Sequence, residues 1–438
     1  MRASLVNQFL ISIADAGRDL LRLRSNRRRD IVALCRDLLS TRGEASGTAL
    51  AREVVEAYLA MDGEARLRFF FALLEEFGPD PGAIAEAIEA YLEHTDAERL
   101  RVLHRATEAP RQELFRRMNM APQGTRRLVE LRAELMGHIR AHPELRAVDS
   151  DLHRLLSSWF NPGFLSLTRI DWNSPAALLE KIVHYEKVHR IPALEALRRR
   201  LAEDRRCFAF FHPAWPDEPL IFVEVALVKG IADRVQPLLD EAAPLFPPKD
   251  ADTAIFYSIN NCHEGLRGVT LGNFLIKLVV ADLQRELPHL RQFATLSPVP
   301  GFAAWLAEAL EQGDPVIGEN ERKALAALAD PDWHHDPEKA EALKTPLLRL
   351  CAHYLVRVRE RGRPRDPVAR FHLHNGARLE RINWLADTSP KGLAESHGIL
   401  VNYLYDPTRI ERNHEAYVAS GEVIHSPAVK ALLPPLSE

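Results

Sequence analysis

The chain has 438 residues, 46% hydrophobic and 27% charged, with a formal net charge of −4. That length holds two or three domains, each able to bury a core. The near-neutral balance excludes a strongly basic nucleic-acid-binding field, and no apolar run approaches the ~18 residues of a membrane-spanning helix. Four scattered cysteines, Cys35, Cys207, Cys262 and Cys351, have no paired spacing. They read as reduced thiols, neither a disulfide framework nor a zinc site. The basic run from Arg22 to Arg29 has the character of a mitochondrial leader, but Asp15, Asp19 and Asp30 break the acid-poor composition that such leaders need.

Residues 1–158 read as helical throughout. Ile31, Leu34, Cys35, Leu38 and Leu39 share one helical face, as do Leu67, Phe70, Phe71 and Leu74. Ile84, Ile88, Tyr91 and Leu92 form a third stripe, and Leu128, Leu131 and Leu135 a fourth. Thr95 and Glu98 have capping-box spacing. The many carboxylates and arginines alternate as on solvated helix faces, so this half is expected to be a packing or oligomerisation domain.

The pattern changes near Trp159, where a mixed α/β domain, 159–438, is expected to begin. After a helix from Pro175 to Val188, strands are predicted at 207–211 and 220–227. The stretch Thr253–Trp305 then reads as strand, glycine-bearing turn, helix and strand, the last ending on Ser297. Phe274, Leu275, Leu278 and Leu283 give that helix a core-facing stripe. Later helices are expected at 302–310, 321–328 and 343–358. Val368–Leu373 alternates as a strand through His372, Asn375-Gly376 turns it into a returning strand at 379–385, and 399–405 is the last strand.

Three places carry candidate chemistry. The turn Arg267-Gly268-Val269-Thr270-Leu271-Gly272-Asn273 opens a helix, where unpartnered amides and close backbone approach suit a phosphate. It resembles the pyrophosphate loop of the N-acetyltransferase fold, with Arg267 and Gly272 in place and Thr270 where that loop has its first glycine. A tight join between strand and helix explains the same residues. Ser297 sits in no nucleophile elbow, and a serine before proline at a strand end is ordinarily a turn residue. His372 and His374 share a face if the segment is a strand, but no third ligand stands at a metal-binding spacing.

Longer blocks are more specific. Leu296-Ser297-Pro298-Val299-Pro300-Gly301-Phe302, Phe371–Gly376, Arg381-Ile382-Asn383-Trp384, Ala386-Asp387, Lys391-Gly392-Leu393 and Asn402-Tyr403-Leu404-Tyr405 follow in order. With Gly265–Val269, Phe274–Lys277, Phe256–Ile259, Trp159-Phe160 and His142–Arg146, they closely resemble the malonyl-CoA decarboxylase family over most of the chain. The resemblance implies a helical domain followed by an acetyltransferase-like catalytic domain. It implies conversion of malonyl-CoA to acetyl-CoA and carbon dioxide without metal or organic cofactor. The family's catalytic serine falls on Ser297, its histidine on His372, its coenzyme A loop on Arg267–Asn273, and a tyrosine near the site on Tyr405. Thr270 stands where animal members carry a glutamate. The chain's last residues, Leu436-Ser437-Glu438, lack the peroxisomal tail of some eukaryotic members, so a bacterial-type cytoplasmic enzyme is expected. Other readings are an acyltransferase on the same fold, a non-catalytic acyl-CoA sensor and a Ser-His thioesterase.

Overall fold

The computed structural model describes residues 5–22, 30–41, 43–269 and 271–433. The chain divides into two compact units. The first contains the chain up to Ser166 together with 210–220 and 261–271; the second contains 167–209, 221–260 and the chain from Gly272 onward.

The first unit is helical over its N-terminal part, with α-helices at Leu5–Arg22, Ile31–Ser40, Glu44–Leu59, Gly63–Glu75, Pro81–Glu93, Ala97–Thr107, Pro110–Met118, Gly124–His138 and Arg146–Trp159. Ile31, Leu34, Cys35 and Leu38 are buried, as their spacing requires, and Leu128, Leu131 and Leu135 join the same core. The stripe on Pro81–Glu93 does not behave as expected. Ile88 is 41% and Leu92 71% exposed, and Ala87 is the helix's buried residue. This helix pairs with Ala97–Thr107, which itself buries no side chain, so the pair leaves much of this stripe uncovered among the described residues. Nor is Thr95 the cap of that second helix: the Asp96 carboxylate accepts from the Arg99 amide at 2.8 Å, one residue later.

The second unit is built on a mixed sheet. The strands are β1 (Ser166–Ile170), β2 (Arg205–Phe211), β3 (Ile221–Val228), β4 (Thr253–Asn261), β5 (Gln292–Thr295), β6 (Ser297–Pro298), a small separate pair β7 (Arg359–Glu360) and β8 (Arg363–Pro364), β9 (Arg378–Asn383) and β10 (Leu400–Leu404). The main sheet runs β1-β2-β3-β4-β5-β10-β6, and β9 also pairs with β10. β3 is buried almost throughout, as its continuous apolar run predicts, and its one charge, Glu224, is ion-paired with the buried Arg200.

The centre of this sheet opens. β4 and β5 pair in parallel from Thr253↔Gln292 to Phe256↔Thr295. One further bond joins Leu296 N–H to the Phe256 carbonyl at 2.9 Å. The chain then moves onto β10, with Ser297 opposite Val401 and Pro298 opposite Leu400. Pro298 has no N–H to return to β4, so it suits a strand leaving its neighbour. β4 continues to Asn261 beyond its last β5 partner.

Two sequence expectations fail in this unit. Leu278, assigned to the core stripe of helix Gly272–Glu286, is 43% exposed; the buried face passes through Leu275, Val279 and Leu283. The segment around His372 is a helix, Pro367–His374, not a strand. Short apolar runs fit either period, and here Asp366 followed by Pro367 is an N-cap and N1 pair that marks a helix start. Among the described residues no helix is long and apolar enough to cross a membrane.

Candidate active site

Ser297 and His372, 75 residues apart in sequence, meet inside the second unit. Ser297 Oγ lies 3.0 Å from His372 Nε2, and both side chains are buried, at 5% and 2% exposure. The serine arrives from the strand that has just left β4. The histidine arrives from the last turn of helix Pro367–His374. That helix starts at the Asp366 cap and stops at Gly376, whose φ of +79° only glycine adopts freely. A Cβ there would meet the Ile410 carbonyl oxygen at 2.1 Å. The Asn375-Gly376 pair, expected as a hairpin turn, is therefore the end of a helix.

The proton positions follow from the partners. Tyr405 Oη lies 2.8 Å from His372 Nδ1. Burial pushes the phenol's pKa well up, so it stays protonated. His372 Nδ1 is the partner found for this hydroxyl among the described residues, so the O–H donates to it. A neutral imidazole that accepts at Nδ1 carries its hydrogen on Nε2. Nε2–H therefore donates to Ser297 Oγ, and the serine O–H donates to Thr295 Oγ1 at 2.8 Å. Thr295 Oγ1 also accepts from the Tyr403 amide at 3.1 Å. Burial, with no compensating anion, lowers the imidazole's pKa to about 3, so the ring is neutral near pH 7. Tyr403 stacks on that ring with centroids 4.6 Å apart.

His374 does not share this site. Two residues along a helix rotate a side chain by roughly 200°, whereas in a strand they would restore the same face. The His374 ring instead lies 5.0 Å from that of His414. Among the described residues no group of three metal-ligating side chains forms.

The glycine loop is held within the first unit. Buried Arg132 donates to the carbonyls of Gly265 and Arg267, at 2.7 and 2.9 Å, and pairs with Asp149 at 2.7 Å. Gly265 packs against the Val129 carbonyl too closely for any Cβ. Gly268 has a φ of +84°, and a Cβ there would come within 3.1 Å of His153 Nε2. The Arg267 guanidinium is exposed and ion-paired with Glu264. Val269 and Leu271 are buried, and Gly272 opens the helix Gly272–Glu286. Thr270 and the side chain of Asn273 lie outside the described residues.

Family comparison decides what this arrangement belongs to. Residues 163–438 match the malonyl-CoA decarboxylase C-terminal domain, and residues 77–160 match the N-terminal domain of the same family. The chain belongs to the malonyl-CoA decarboxylase family. It is an enzyme of the carboxy-lyase class. The mitochondrial malonyl-CoA decarboxylase of Anser anser anser is 37% identical over 406 residues, covering 85% of this chain and 80% of the relative. That of Rattus norvegicus is 36% identical over 398 residues, with 82% and 80% covered. The crystal structure of malonyl-CoA decarboxylase from Rhodopseudomonas palustris is 50% identical, superimposes with a TM-score of 0.88, and covers 92% of this chain and 98% of its own.

For a malonyl-CoA decarboxylase the sequence-predicted Ser297, His372 and Tyr405 are in one hydrogen-bonded chain. Thr295 and Tyr403 complete its surroundings and were not anticipated. Thr295 carried a usable signal: it lies two positions before Ser297, the spacing that places two strand side chains on one face. Tyr403 lies likewise two positions before Tyr405, but its stacking on the imidazole depends on a helix far away in sequence.

Proposed function

We propose that this enzyme converts malonyl-CoA to acetyl-CoA and carbon dioxide through an enolate thioester, using Ser297 and His372 and no metal or organic cofactor. The observation that carries the reading is the buried chain Tyr405–His372–Ser297, with its hydrogen directed along Nε2 toward the serine. The bond between the α-carbon and the carboxylate breaks, and its electron pair moves into the thioester carbonyl. The thioester is itself the electron sink, so no further sink is required. Donors placed at the thioester oxygen lower this barrier, and a water-poor pocket favours neutral carbon dioxide over the carboxylate. Ser297 is assigned to hydrogen-bond the substrate's carboxylate or thioester oxygen, turning its O–H from Thr295 toward the ligand. His372 is assigned to deliver a proton to the α-carbon. A neutral imidazole is a weak acid, but the α-carbon of a thioester enolate is a much stronger base, so transfer runs downhill. The ring's hydrogen is then restored from solvent, the source of the one proton consumed per turnover, while Tyr405 holds Nδ1 as the accepting nitrogen.

Coenzyme A is assigned to the loop Arg267–Asn273, on the ground that a glycine turn opening a helix N-terminus suits a pyrophosphate. The exposed apolar side chains of Ile88, Leu92, Leu100 and Val102 support a homo-oligomer formed through the helical region. A cytoplasmic location is our reading for this chain; its animal relatives are described as mitochondrial, and cell fractionation separates the two.

Incubating the purified protein with malonyl-CoA alone tests the activity. Decarboxylation yields acetyl-CoA and carbon dioxide in equal amounts, and chelator leaves the rate unchanged. Free CoA with malonate would mean a thioesterase. CoA release that requires an added amine would mean an acyltransferase, and binding without turnover a sensor.

A further inference from the structure

We propose that Asp366 is a positioning residue for the decarboxylation, tying the helix that carries His372 to the segment that carries Ser297. The proposal rests on the Ser297–His372 reading above. Asp366 is 0% exposed. Its Oδ1 accepts from the Ala369 amide at 2.8 Å and so closes the first turn of helix Pro367–His374. That helix has eight residues, too few to hold its own geometry, so its end contacts set where His372 lies.

The other carboxylate oxygen looks toward the serine's segment. A Cβ built on Gly301, four residues after Ser297, would stand 3.9 Å from Asp366 Oδ2 and 2.3 Å from the Tyr354 hydroxyl. The Tyr354 hydroxyl crowds that Cβ position, and Asp366 Oδ2 lies at ordinary contact distance from it. Asp366 Oδ2 has no hydrogen-bond partner of good geometry, and neither has the buried Tyr403 hydroxyl. The Asp366 charge raises the pKa of both Tyr354 and Tyr403, after the larger effect of burial. Tyr403 is the ring stacked on the His372 imidazole. One carboxylate therefore caps the histidine's helix, lies near the turn after the serine and acts electrostatically on the phenol stacked on the imidazole.

The cap is held in place at a cost. Burial raises the Asp366 pKa to about 6, against the pull of the Ala369, Val368 and Gly301 amides and of Arg370. A carboxylate so buried, with one oxygen unpaired, costs stability. An uncharged asparagine also caps a helix, so the cap rather than the charge is what places His372. Local rules broken in this way concentrate at functional sites.

The test compares kcat for malonyl-CoA and affinity for acetyl-CoA in Asp366→Ala, Asp366→Asn and the Asp366→Ala/His372→Ala double variant. Asp366→Ala is expected to lower kcat about tenfold, the scale of a lost cap, with acetyl-CoA affinity unchanged within about twofold. Asp366→Asn, which keeps an oxygen for the Ala369 amide, restores most of the loss. In the His372→Ala background, adding Asp366→Ala costs less than about twofold, because the residue acts through the histidine. A general loss of stability would lower kcat by the same factor in both backgrounds. That equal factor, undiminished kcat in Asp366→Ala, or an asparagine variant as impaired as the alanine one, would overturn the proposal. Should Asp366→Ala not fold, Asp366→Gly, which removes the carboxylate but is tolerated at a helix start, carries the same comparison. If the wild type does not decarboxylate malonyl-CoA, the proposed activity itself is wrong; if it does and Asp366→Ala matches it, only the positioning role is lost.

Discussion

The Tyr405 hydroxyl lies 2.8 Å from Nδ1 of His372, and this contact sets which imidazole nitrogen carries the hydrogen. Tyr405→Phe removes it while leaving the ring in place. The imidazole then loses its reason to hold the hydrogen on Nε2. We expect kcat to fall about threefold to tenfold, the value of one hydrogen bond, with acetyl-CoA affinity unchanged. A phenylalanine variant with wild-type kcat would show that the tyrosine does not orient the ring.

His372→Ala is expected to lower kcat by ~10²–10⁴-fold, the range for one acid–base group. Ser297→Ala is also impaired, and the double variant loses less than the product of the single losses, because the pair acts as one unit. Steady-state kinetics on the three variants decide this, with His374→Ala as the control near wild type. Multiplicative losses would dissolve the dyad.

His372 also gives a pH dependence of stability. Its folded pKa, about 3, lies below its ordinary value of 6.5 because of burial. Below about pH 6.5 the unfolded chain takes up a proton that the folded protein refuses. The contribution is therefore complete above about 6.5 and is lost as pH falls toward about 3. His372→Gln lacks it, so its melting temperature should drop less than the wild type's between about pH 7 and about pH 4.5. Parallel curves would mean that His372 protonates without cost in the fold.

Gly272 opens the helix Gly272–Glu286. Gly272→Leu places a side chain where a pyrophosphate would approach those amides. Binding of malonyl-CoA and acetyl-CoA should weaken together, by isothermal titration, since both carry the same nucleotide. Full affinity for both ligands in a folded variant would remove the loop from the coenzyme A site.

Leu92, 71% exposed on helix Pro81–Glu93, tests assembly. If the helical region forms an oligomer through this face, Leu92→Glu lowers the molar mass seen by light scattering and leaves the melting temperature nearly unchanged. A wild-type monomer at working concentration, with full activity, would be the contrary result.

The sequence by itself determined the order of the architecture. Its helical stripes, the change of pattern near Trp159 and the apolar runs of β3, β4 and β10 are set by local periodicity, which a single chain displays directly. Extended resemblance also singled out Ser297, His372 and Tyr405, which no local motif selects. The tertiary structure decided everything that depends on what lies opposite. It showed that Leu92 and Leu278 face outward, because an apolar stripe is buried only where another element supplies a surface. It turned the His372 segment from strand to helix, and so separated His374 from it, because eight residues are too few for either period to prevail without neighbours. It brought Thr295 and Tyr403 to the dyad and set Asp366 at the start of the helix that carries His372. The contacts themselves arise from the splitting of β4 from β5 and from helix ends packed at distant points of the chain, and local spacing and capping signals do not show which groups will meet.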